Sequence, residues 1–189
     1  MKQPINQFAE LIAFVAFASV VVAASSPSSA VAAQPDPSAA SAAAAPKNPI
    51  PAEQAGVLYV ALNDLMQGPM TNLGQMWSSL VGGKPLTAEL TAASGIDQLS
   101  HRAVEPLSYL LQEAVIYQGM KCDSDRTVVL AFMPQNLNYA KGQLDRAIEG
   151  TNGQLVFITN HVLLLEAQAV RDGLQKLRSA LEPYSYDQP

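Results

Sequence analysis

Apolar residues recur at three- and four-residue steps through most of this chain, the spacing of one face of an α-helix. Val57, Leu58, Ala61, Leu62, Leu65 and Met66 set a first helix over 52–67. Pro51 suits its first turn and Gly68-Pro69 supplies a stop. Met70, Leu73, Met76, Trp77, Leu80 and Val81 set a second helix over 70–81, ended by Gly82-Gly83. The short link between them predicts an antiparallel pair. Thr87 to Ala93 reads as a short helical turn. A longer helix is expected from Ser94, where Asp97 stands at capping-box spacing. Ile96, Leu99, Ala103, Leu107, Leu110, Leu111, Ala114 and Val115 carry its period to Gln118. Pro106 lacks an amide hydrogen and crowds the turn before it, so a kink or break is expected near Glu105.

Two stretches give conflicting signals. Thr127-Val128-Val129-Leu130-Ala131-Phe132 has the β-branched composition of a buried strand. Leu130, Met133, Leu137, Ala140, Leu144 and Ala147 nevertheless follow helical spacing, with Pro134 favouring a helix that restarts there. Asp123 or Ser124 can cap this element, and Gly150 with Asn152-Gly153 reads as a turn. Leu155 to Thr159 again resembles a strand, yet Thr151 and Gln154 have capping-box spacing. Leu163, Ala167, Val170, Leu174, Leu177 and Leu181 then keep one helical face, so a helix is expected over 153–181. The fold expected is all-α, an antiparallel bundle of four to five helices. The alternative is α+β, with a small βαβα unit at 127–181.

The first 51 residues have a different pattern. A basic start at Lys2, the apolar run Leu11 to Ala24 and small residues beyond it have the form of a secretory signal peptide. The run falls short of the ~20 apolar residues of a comfortable bilayer span. Val22-Ala23-Ala24 and Val31-Ala32-Ala33 both offer small residues for cleavage, and 1–33 is taken as the signal. Residues 34–51, rich in Ala, Pro and Ser, are expected to form a disordered spacer. That leaves a helical domain at 52–182 and a frayed tail at 183–189. The expected setting is periplasmic or extracellular, in a bacterium, with no stable membrane span once the signal is removed.

Charge and composition narrow the function classes. The 189 residues carry a formal net charge of −5. They hold no dense Lys/Arg stripe, which argues against nucleic acid and anionic membranes as partners. The single cysteine, Cys122, cannot form an internal disulfide. In an oxidising compartment an odd cysteine suggests an intermolecular disulfide or a free thiol.

Candidate chemistry is sparse. Asp97, His101 and Glu105 stand four apart on one helix face, an arrangement that can hold a metal or orient a base. The only other histidine is His161, and neither the His-Glu-x-x-His nor the Glu-x-x-His spacing occurs. These four residues are metal candidates only; the simpler reading is a solvated polar stripe and a satisfied histidine. Haem attachment lacks its Cys-x-x-Cys-His. Met66, Met70 and Met76, beside Trp77, fall on the apolar stripe and read as core rather than as soft-metal ligands. Tyr109, Tyr117 and Tyr139 can line a groove or bury with their hydroxyls at an edge. No nucleophile elbow, phosphate loop or dinucleotide fingerprint is present.

No cofactor is expected. The reading these features favour is a non-enzymatic protein-interaction module, of the inhibitor, immunity or assembly-accessory kind, acting on another protein. A homodimer, locked through Cys122, is one form such a module can take. The alternatives are a carrier of a small apolar ligand or metal, with a pocket between helices lined by Met and Tyr, and a hydrolase with a spatially assembled site using His101 or His161.

Overall fold

A computed structural model describes residues 48–83 and 85–186 of the chain. The expected signal peptide and most of the expected spacer lie outside these residues. The described part is all-α: α1 (Ala52–Leu65), α2 (Thr71–Val81), α3 (Ala88–Gly119), α4 (Asp123–Leu155) and α5 (His161–Leu181). Among the described residues there is no strand, only an isolated bridge between Asn48 and Ser185. The βαβα alternative is therefore overturned.

α3 and α4, of 32 and 33 residues, are joined by three residues and run antiparallel. Each is about 48 Å long at 1.5 Å per residue. Asn136 donates to the Glu113 carboxylate at 2.7 Å, and Gly150 meets Leu99, which fixes their register. A Cβ at Gly150 would stand 2.6 Å from a Leu99 methyl, so the bare backbone lets the helices close. Ala103, Ala114, Ala140 and Ala147 are fully buried, and small side chains of this kind keep helices near each other. α5 returns along both long helices through Leu163, Ala167, Val170, Leu174, Leu177 and Leu181, all buried.

The junction of α1 and α2 corrects the sequence reading. The chain does not fold back at Gly68-Pro69. Leu65, Met66, Met70 and Thr71 all keep right-handed helical backbone, and Met66–Met70 form one π-helical turn. Pro69 has no N–H to donate, and the widened turn absorbs the mismatch. The Met66 carbonyl accepts both from the Thr71 N–H, its π-helical partner, and from the Thr71 hydroxyl at 2.7 Å. The continuous path runs antiparallel to α3, with Ile50 at Gln118 and Trp77 at Asp97.

Both long helices run through their prolines. α3 starts at Thr87, whose side chain accepts from the Leu90 N–H, not at Ser94, and it passes Pro106 without a break. Pro106 is half-exposed and Arg102, whose carbonyl loses its partner, is exposed, so water can replace the missing bond. α4 begins at Asp123 and contains the whole 127–132 stretch, with Pro134 packed in its buried face. Gly150, Asn152 and Gly153 are helical, and Thr151 is buried inside α4 instead of capping a new helix. The expected helix over 153–181 is divided at Val156–Asn160. There the Asn160 side chain accepts from the Val162 and Leu163 N–H groups and opens α5.

The domain edges also shift. Ile50, placed in the spacer, is buried, and its N–H donates to the Tyr186 hydroxyl at 3.1 Å. Tyr186, expected to fray, is buried in turn, and Lys141 donates to the Tyr184 carbonyl at 2.9 Å. Each terminus supplies the cover the other needs. Burial raises the Tyr186 hydroxyl above its ordinary range.

Candidate functional site

The first ten residues of α4, 123–132, contribute no fully buried side chain, although five of them are apolar; Val129 and Leu130 pack partly against the core. Val128 is 61% exposed and Phe132 57%. Two turns beyond, Tyr139 is 57% exposed. Residues 127–140 carry no charge at all. The buried positions of α4 are Met133, Pro134, Leu137, Ala140, Leu144, Ala147 and Thr151. On the opposite side runs a second pattern: Asp125, Val128, Phe132, Gln135, Tyr139, Gly142, Arg146 and Glu149. Their steps alternate three and four, the a/d rhythm of a coiled-coil seam. Gly142 is half-exposed and the others are exposed. α4 thus has two faces at helical spacing, one in the core and one unpartnered.

The seam ends are charged. Asp125 and Arg146 make no ion pair among the described residues, whereas Asp145 is held by Arg178 at 2.9 Å. Tyr109 and Ile116 on α3 are also exposed, and the register set by Glu113 and Asn136 places them at the levels of Tyr139 and Phe132. Tyr117 is half-buried, with the Arg126 guanidinium 5.8 Å from its ring centroid. The tyrosines anticipated as a set therefore divide, Tyr109 and Tyr139 outward and Tyr117 under a cation.

Cys122 is exposed at the N-cap of α4 as a free thiol. Its Sγ lies 2.9 Å from Ser124 Oγ. That hydroxyl, with the Asp125 and Ser124 backbone N–H groups, lowers the thiol below its ordinary 9.0.

Of the polar residues singled out on α3, Asp97 acts as a structural pin. Asp97 Oδ2 accepts from the Trp77 indole N–H at 3.2 Å and so ties α2 to α3. His101 Nδ1 lies 2.8 Å from the Asp97 carbonyl and 3.2 Å from Asp97 Oδ1, with its side chain largely in solvent. Glu105 is exposed one turn on, in an open groove of about 470 Å³ that also holds Met66, His101, Ser108 and Tyr109. Ser108 follows His101 by seven residues, about 10 Å of helix rise, beyond hydrogen-bond reach. His161 is the first residue of α5, beside Asn160, whose N–H donates to Glu89. Glu89 precedes His101 by twelve residues, about 18 Å along α3, so the two histidines are not brought together. No group of three metal-ligating side chains forms among the described residues.

Met70 is buried, and Met66, Met76 and Trp77 pack against the core, as their positions on the stripe predict. A second open groove, about 640 Å³ between α1 and α5, is lined by Val57, Leu58, Ala61, Ala169, Gly173 and Leu177 among others, with no Met or Tyr.

Glu89 was not foreseen. Its carboxylate accepts from the Thr159 N–H at 2.7 Å, the Thr159 hydroxyl at 3.3 Å and the Asn160 N–H. The Asn160 bond is the main cause holding its carboxyl below the ordinary 4.5, with Thr159 adding to it. No local pattern reveals a partner seventy residues away.

Among the described residues no helix is long and apolar enough to cross a membrane. The chain matches no known protein family, no curated protein and no solved structure. Its functional reading therefore rests on the geometry of these surfaces.

Proposed function

We propose that this chain is an exported, non-enzymatic protein-interaction module that docks a partner on the outer face of α4. The observation that carries the reading is the uncharged seam of Val128, Phe132 and Tyr139, apolar residues at helical spacing that the core does not use. Exposed apolar surface at a regular helical spacing is the usual mark of a helix that packs on a second body. Export is supported by the basic start and the short apolar run of residues 2–24. Cys122, exposed and with a lowered thiol, is suited to an intermolecular disulfide in that setting.

A photo-crosslinking side chain placed at Phe132 or Tyr139 in the full chain tests the reading. It should give discrete adducts that the same group at exposed Glu53 on α1 does not give. Equal labelling at all three positions, or none, overturns the proposal.

A further inference from the structure

We infer that the partner seated on the α4 seam is a second copy of this chain, paired antiparallel about a two-fold axis near Gln135–Asn136. The inference rests on the interaction-module reading and deepens it by naming the occupant. Three observations point to this occupant.

The first is charge. The chain carries −5 overall, so two copies repel over most of their surface, whereas residues 127–140 hold no charge to repel. The second is the order of groups along the seam. Asp125, Phe132, Tyr139 and Arg146 follow one another at seven-residue steps. Reversing one copy brings Asp125 alongside Arg146 of the other copy, and Phe132 against its Tyr139–Gly142 stretch. A parallel pairing would instead set Asp125 on Asp125 and Arg146 on Arg146. The Asp125–Arg146 pairs therefore favour the antiparallel arrangement, with Glu149 falling beyond them opposite Cys122 of the other copy, and each contact occurs twice, as an isologous interface requires. Gly142, with open space where a Cβ would stand, leaves room for the incoming ring.

The third is extent. From Asp125 to Arg146 the seam is about 32 Å long. One helix face of that length lies at the low end of specific interfaces, which predicts a dimer that dissociates on dilution. In this register the two Cys122 residues stand about 40 Å apart along the helices, so the dimer does not depend on a disulfide between them.

Sedimentation velocity of the full chain, under reductant and over a dilution series, reads the outcome. The wild type should move from twice the chain mass to the single chain mass on dilution. Asp125→Arg or Arg146→Asp alone should shift that midpoint about tenfold or more towards monomer, since each places like charges together at both ends. The double variant Asp125→Arg/Arg146→Asp should restore it, because the swapped pairs are again opposite. Rescue by the double swap also shows that the single variants fold. A dimer indifferent to the single changes, or a double variant that stays as weak as the singles, overturns the inference. A wild type that is monomeric throughout also overturns it. In that case crosslinks at Phe132 to a species of another mass preserve the interaction-module reading, whereas absence of crosslinks overturns both.

Discussion

The two halves of α4 use apolar residues in opposite ways. From Met133 to Leu155 they are sparse, yet Met133, Leu137, Ala140, Leu144 and Ala147 are all buried. From Val128 to Phe132 they are consecutive, and none is fully buried, Val129 and Leu130 alone packing partly against the core. Density of apolar groups therefore does not locate the core; spacing against a neighbouring helix does. α5 explains the difference. Arg178 meets Asp145 and Lys141 meets Tyr184, so the end of α5 and the tail after it lie against the middle of α4. The first turns of α4 extend past that cover, with α3 as their main support.

The largest test of this contrast lies in the buried half. Leu144→Ala removes a fully buried side chain and should cost about 2–5 kcal/mol in urea unfolding. A loss within the range of surface changes would deny that this half is core. Next comes Asp97→Ala, which leaves the Trp77 indole N–H without its acceptor. It should cost about 1–3 kcal/mol and change the Trp77 fluorescence, while a neutral result would show that α2 is held by apolar contacts alone.

A smaller effect is expected at the far end of α4, where Glu89 satisfies the backbone opening α5. Glu89→Gln should cost about 1 kcal/mol at neutral pH. The sign with pH is set by its lowered carboxyl. Its contribution is complete above the ordinary value of 4.5 and fades as pH falls through the lower folded value. Wild type and variant should therefore converge in acid; a gap that persists there would contradict a role for the charge. At the exposed end, Ser124→Ala should slow alkylation of Cys122 near neutral pH without changing stability, because the hydroxyl is the main cause of the lowered thiol. An unchanged rate profile would remove that cause.

The all-α class was legible because the buried stripes at Leu107–Leu111 and Leu163–Leu181 follow one period and pack as that period implies. Element ends were less legible. Pro106, Pro134 and Gly68-Pro69 are breakers only when the freed carbonyl finds no substitute. Exposure at Arg102 provides one, and at Pro69 the backbone widens into a π-helical turn instead. The ambiguity at 127–132 had a different source: apolar residues serving an outer face were read together with those serving the core, which blurred the helical period. The outer seam was present in the sequence as a second three-four rhythm, hidden beneath the first. Glu89 and the pairing of Ile50 with Tyr186 span contacts of seventy residues or more, which no local pattern carries.

The most direct measurement is urea unfolding of Val128→Ser/Phe132→Ser beside wild type, both dilute enough to be monomeric. If the outer face of α4 is surface and not core, the two unfold within about 0.5 kcal/mol of each other, as surface changes do. A loss of several kcal/mol would place these side chains in the core and contradict the account.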